Sequence, residues 1–205
     1  LADKSVNRRA LCTQLGIQNA EQKLLVGVIS RLVTQKGIDI LLDALWSKID
    51  CGDCLFALLG SGDALLEERV KALQSTYPDS VGIRLGYDEP LAHQIIAGAD
   101  LLAVPSLYEP CGLTQMYAMR YATLPLVRAT GGLEDTVLGL DEDNFDEATG
   151  FKFGDPSAAA VTATLDHALH YFRQAEIWKR LQKNSMSGRF DWQRSAEAYV
   201  EIYKR

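Results

Sequence analysis

LLVGVISRLVTQKGIDILLDALWSKI, residues Leu24 to Ile49, is the stretch that decides the fold. Leu24 to Ser30 is an almost unbroken apolar run, too short for a buried helix and the right length for a strand covered on both faces. A polar loop follows, and from Gly37 the residues Ile38, Leu41, Leu42, Leu45 and Ile49 recur at helical spacing. Strand, loop, amphipathic helix is one βα unit, the building block of a parallel sheet flanked by helices.

The alternation continues outward. Strands are expected at Cys54 to Leu59, Val81 to Leu85, Asp100 to Pro105 and Leu124 to Arg128, with crossover helices over Ala64 to Gln74, Leu91 to Ala97 and Leu113 to Tyr121. Gly139 to Asp146 reads as an acidic, turn-rich loop and Gly150 to Phe153 as a short edge strand. Pro156 then opens a helical tail with segments at Ser157 to Phe172, near Ala175 to Met186, and at Trp192 to Tyr203. No repeat, low-complexity segment or long linker interrupts the pattern. The expectation is one domain over residues 1–205, an α/β Rossmann-like open parallel sheet flanked by helices, with a helical C-terminal tail.

Composition bounds the function. The 205 residues are 47% hydrophobic and 23% charged, ample for a core, and the net charge of -6 argues against a nucleic-acid or membrane-surface partner. No apolar run approaches the roughly 20 residues that span a bilayer, so no membrane association is expected. The start at Leu1 has neither an initiator Met nor a signal-peptide pattern, and the expectation is a piece of a longer protein. Four cysteines are too few for a disulfide scaffold; Cys51 and Cys54 form a lone CxxC without a second pair or flanking His, read as structural thiols rather than a metal site. The acidic loop around Asp141, Glu142, Asp143 and Asp146 fails calcium-loop spacing and reads as solvated. His93, His167 and His170 read as structural or surface groups. No metal site is expected.

In open α/β sheets ligands bind outside the carboxyl ends of the strands, so the residues following each strand are the candidates. Arg31 and Lys36 follow the first; alone, each reads more often as a solvated surface cation, but two cations beside glycines in an acidic chain suit a diphosphate. Gly60-Ser61-Gly62 follows the second, either a tight turn or a place where a backbone meets a nucleotide. Tyr87 follows the third, a packed ring or a stacking platform for a base. After the fourth, Glu109 precedes Cys111, Gly112, Leu113 and Thr114 at a helix start, where free N–H groups and the helix dipole can hold an anion or simply be capped. Thr130-Gly131-Gly132 follows the fifth, a turn or a space for a sugar or phosphate. The candidate site is therefore Arg31, Lys36 and Glu109 for catalysis, with Gly60, Gly62, Tyr87, Cys111, Gly112, Leu113, Thr114, Thr130, Gly131 and Gly132 joining both cations in donor binding.

SRLVTQKGIDIL at Ser30 to Leu41, Gly86-Tyr87, ADLLAVPSLYEPCGLTQMYAMRYATLPLVRATGGLEDTV at Ala99 to Val137, and TGFKF at Thr149 to Phe153 closely resemble the C-terminal domain of bacterial glycogen synthases and plant-type starch synthases. That resemblance implies the C-terminal half of a GT-B glycosyltransferase, with the N-terminal domain absent here. It implies transfer of glucose from ADP-glucose, or sometimes UDP-glucose, to the non-reducing end of an α-1,4-glucan with retention, and no required cofactor beyond the donor. Its location would be the cytoplasm for a bacterial member and the plastid for a plant one. Residue by residue, Arg31 and Lys36 match the cations on the donor diphosphate, Tyr87 the ring that stacks on adenine, Glu109 the carboxylate at the donor sugar, and Gly112, Leu113 and Thr114 the N–H cradle for the terminal phosphate. The second Glu of the wider superfamily's Glu-x7-Glu pattern is Tyr117 here, which fits the synthases and not a sucrose or trehalose-phosphate type transferase. A non-catalytic nucleotide-binding or glucan-scaffolding module is the other alternative.

Overall fold

Six parallel strands form a single sheet in the computed structural model, which describes residues 3–18 and 22–204. The strands are β1 (Leu24–Ile29), β2 (Cys54–Gly60), β3 (Val81–Leu85), β4 (Leu101–Val104), β5 (Leu124–Arg128) and β6 (Phe151–Phe153), in the spatial order β3-β2-β1-β4-β5-β6. All five pairings are parallel, with Leu24 opposite Cys54 and Val26 opposite Leu101. Each of the five main strands falls where the apolar runs place it, and the Gly150 to Phe153 segment is the parallel edge strand β6.

The double-sided burial read from Leu24 to Ile29 has a direct counterpart in packing. Leu24, Val26 and Val28 point to one face, where α2 (Ile38–Asp50), α3 (Ala64–Thr76), α7 (Ala158–Phe172) and α8 (Ala175–Ser187) supply Leu41, Val70, Leu165 and Trp178. Leu25 points to the other face, against Leu11 of α1 (Lys4–Leu15) and Leu91 and Ile95 of α4 (Glu89–Gly98). Gly27 is a glycine because a Cβ there would stand 2.7 Å from the Ile95 side chain and 3.0 Å from that of Ala99, so its absence lets α4 settle onto β1.

Three elements depart from the sequence reading. Helix α1 was not anticipated, because only Leu11 and Cys12 of it are buried and its apolar periodicity is correspondingly weak. It is held instead by polar contacts: Arg8 pairs with Asp100, whose carboxylate also accepts from Leu25 N at 2.8 Å, and Lys4 Nζ donates to Thr123 Oγ1 at 2.7 Å and to Ala97 O at 3.1 Å. Residues Thr34–Lys36 form a single 3-10 turn before Gly37. Gly131–Thr136 is a short helix, α6, rather than only a turn.

The tail behaves as three helices. Between α7 and the sheet, His167 lies edge-on to Phe151 at 5.8 Å and Tyr171 at 5.0 Å, and burial lowers its pKa, as expected for a ring used in packing. Cys54 is buried at the start of β2 and burial pushes its thiol up to about 12, while Cys51 is exposed; both are free thiols. The last helix, α9 (Trp192–Tyr203), leaves Trp192 and Tyr203 87% and 83% exposed, so its apolar spacing is not used against this sheet. Among the described residues no helix is long and apolar enough to cross a membrane.

Candidate functional site

The strand order reverses at β1 and β4, so the chain leaves these neighbouring strands in opposite directions and opens a crevice at their carboxyl ends. A cleft of about 350 Å³ lies there, with Ser30, Arg31 and Lys36 contributed after β1 and Ser106, Glu109 and Thr114 after β4. A second hollow of about 290 Å³ continues toward β2 and β3, sharing Ser30 and Arg31 and adding Gly60, Ser61, Gly86 and Tyr87. Residues scattered over nearly ninety positions of sequence thus line one continuous edge.

Two close approaches build the cleft. Gly37 has φ +64° and a Cβ there would lie 2.2 Å from Pro105 O, so only glycine lets the turn bearing Lys36 press against the end of β4. On the other side, a Cβ on Gly132 would lie 2.0 Å from Cys111 O, and Gly132 N donates to Glu109 O at 3.1 Å. Gly131 and Gly132 therefore let the Glu109 loop dock on the first turn of α6. Gly60 and Gly62 serve a similar close approach, to Ser30 O and Leu32 O respectively, and of the two Gly60 also borders the second hollow.

The charged groups meet at the centre. Lys36 Nζ forms an ion pair with Glu109 Oε2, and Ser106 Oγ donates to the same oxygen at 3.0 Å. The side chains of Lys36 and Glu109 are 19% and 14% exposed, reachable from the cleft yet largely shielded from bulk water. Arg31 is exposed at the rim, and Tyr87, beside the second hollow, is 89% exposed. Opposite them, α5 (Thr114–Arg120) begins after Leu113, whose apolar side chain makes no capping hydrogen bond, and Gly112, Leu113 and Thr114 at this helix start line the cleft. Two cations and a helix start around a concave surface suit a diphosphate. Glu109, an acceptor beside them, suits the hydroxyl groups of an attached sugar.

Four residues that support this arrangement were not singled out from sequence. Gln35 Nε2 donates to Tyr108 O at 3.0 Å, and Leu107 N to Gln35 O at 2.8 Å. Arg128, at the end of β5, donates to Ser106 O at 3.2 Å and to Leu107 O at 2.6 Å. Gln115 is fully buried, and its amide reaches Gly112 O at 3.1 Å and Thr136 Oγ1 at 3.0 Å, bracing the turn at Gly112, whose φ is +71°. Ser106, the fourth, carried a local signal, a hydroxyl three residues before an acid; Gln35 and Arg128 act across long sequence separations, and Gln115 joins a local contact at Gly112 to a distant one at Thr136.

A family model described as "Glycosyl transferases group 1" matches residues 15–184. The chain is 45% identical over 182 residues to a glycogen synthase of Thioalkalivibrio sulfidiphilus, which takes in 88% of this chain and 38% of the relative. Against a glycogen synthase of Cellvibrio japonicus the identity is 46% over 204 residues, 99% of this chain and 42% of the relative. This chain therefore spans about two fifths of the length of these relatives. Among solved structures, the catalytic domain of Starch Synthase IV from Arabidopsis thaliana, bound to ADP and acarbose, superposes with a TM-score of 0.88 at 39% identity, over 98% of this chain and 42% of that one. The C-terminal domain of a group 1 glycosyl transferase from Francisella tularensis shares the fold at 16% identity, with a TM-score of 0.65 over 87% of this chain and 89% of that domain.

Proposed function

Because the chain belongs to the group 1 glycosyl transferases, we propose that it is the donor-binding half of a glycogen or starch synthase, taking ADP-glucose as donor and passing glucose to an α-1,4-glucan. The observation that carries this is the meeting of Lys36 and Glu109 at the β1/β4 crevice, with Arg31 at the rim and the start of α5 opposite. A diphosphate seated there is neutralised by both cations and accepts from the N–H groups of Gly112, Leu113 and Thr114. The adenine stacks on the open ring of Tyr87. Glu109 accepts hydrogen bonds from the glucose hydroxyls and fixes the sugar over the cleft.

The bond that breaks joins the anomeric carbon to the terminal phosphate, and the bond that forms joins it to a hydroxyl of the glucan end. Negative charge grows on the departing ADP, and once the donor is seated and Lys36 has turned from Glu109 to the phosphates, Arg31, Lys36 and the helix start stand where that charge grows, so they lower the barrier with no further reorganisation. The acceptor proton passes to the departing phosphate on the same face of the sugar, which retains the anomeric configuration and requires no protein nucleophile. The acceptor and the opposite wall of the cleft belong to the part of such a synthase that this chain does not span. A bacterial enzyme of this kind works in the cytoplasm and a plant one in the plastid.

Calorimetric titration of ADP, ADP-glucose and UDP into the chain tests the reading. Saturable ADP binding that an Arg31→Ala/Lys36→Ala variant loses, with weaker UDP binding, is the expected result. Equal binding to the variant would remove both cations from the site, and tighter UDP binding would replace the donor.

A further inference from the structure

Glu109 is held in the cleft by two donors, and they are not equivalent. Lys36 Nζ and Ser106 Oγ both address Oε2, and among the described residues no hydrogen bond is made by Oε1. Lys36 sits on the turn after β1 and, with Arg31, is one of the cations that line the cleft and can meet a diphosphate. Ser106 is fully buried, and its place is set from the opposite direction, because Arg128 Nε grips the Ser106 carbonyl at 3.2 Å and Arg128 Nη2 the next carbonyl at 2.6 Å. The hydroxyl therefore has no competing use when ligand arrives, whereas the ammonium does.

We propose that Ser106 is a positioning residue for sugar recognition: its hydroxyl keeps the Glu109 carboxylate in the sugar-facing rotamer once the diphosphate draws Lys36 away. With Lys36 turned to phosphate, the Ser106 hydrogen bond is what orients Oε2, and Oε1 is left to accept from a sugar hydroxyl. A carboxylate that swings freely must be ordered on binding, and that cost falls on the sugar, not on the nucleotide. This inference deepens the donor-binding reading and rests on it.

The test uses the whole chain with ADP and ADP-glucose as titrants against wild type, Ser106→Ala and Ser106→Thr. The ratio of the two dissociation constants isolates the sugar, and thermal unfolding reports the fold. In Ser106→Ala the ADP-glucose affinity is expected to fall about tenfold, the size of a lost hydrogen bond to a charged group, while ADP affinity changes less than threefold. Ser106→Thr, which keeps the hydroxyl, restores the wild-type ratio. An unchanged ratio in Ser106→Ala, or equal loss of ADP and ADP-glucose binding, overturns the positioning role while leaving the site intact. Failure of the wild-type chain to bind either nucleotide overturns the site reading itself, and this inference with it.

Discussion

Removing the charge of Glu109 should tighten ADP binding. Lys36 is paired with Glu109 Oε2, so a diphosphate competes with this ion pair for its cation. Both side chains are less than a fifth exposed, at 19% and 14%, which places the pair above an exposed surface bridge and below a sealed interior one. A net worth of about 1 kcal/mol sits at the top of the range for surface pairs. Glu109→Gln keeps the volume and an oxygen that can accept from Ser106, while releasing the ammonium. About 1 kcal/mol returned to binding is about a fivefold lower Kd for ADP. Lys36→Met should move the other way by about tenfold or more, since it loses a charge-assisted hydrogen bond to phosphate. Titration at low ionic strength is the assay, because added salt screens both effects. Weaker ADP binding by Glu109→Gln, or a change of less than twofold, would refute the competition between phosphate and carboxylate for Lys36.

Three further outcomes follow from particular contacts. Tyr87→Ala should raise the Kd for ADP by about tenfold, within the range of about 1–3 kcal/mol for base stacking, and leave the melting temperature unchanged because the ring is 89% exposed. Gly132→Ala would put a methyl 2.0 Å from Cys111 O, so it should lower stability by about 1–3 kcal/mol in urea unfolding and displace the Glu109 loop enough to abolish ADP binding. Burial lowers the Lys4 pKa to about 8 from 10.5, so between those values the unfolded chain binds the proton that the folded chain has released. Stability should therefore rise with pH from about 8 toward 10.5, with the full penalty present below 8, and the difference between wild type and Lys4→Met across that window isolates the effect.

Much of the candidate site's layout was legible because chemistry and position coincide in short stretches. Arg31 and Lys36 fall within seven residues of the end of β1, and Glu109 and Thr114 within a dozen of the end of β4, so identifying the strands identified the loops. The glycine pairs were legible as special positions but not in their use. Gly131 and Gly132 look from sequence like room for a ligand, whereas the space is filled by the carbonyls of Glu109 and Cys111. Nothing near them in sequence carries that information, since the atoms they meet lie about twenty positions away.

The amino-acid sequence by itself determined the parallel sheet, because runs such as Leu24 to Ile29 and Cys54 to Leu59 are apolar at every position and can be satisfied only between two layers of helix. It also determined which residue types stand at the strand ends. What only the tertiary structure decided was the strand order, and with it that β1 and β4 are neighbours, so that Lys36 and Ser106 both address one oxygen of Glu109, a residue 73 positions from Lys36. It likewise decided that α1 docks through Arg8 and Asp100. Burial patterns are local and repeat along the chain, whereas an ion pair depends on where two separate segments come to rest, and the packing of the whole sheet sets that.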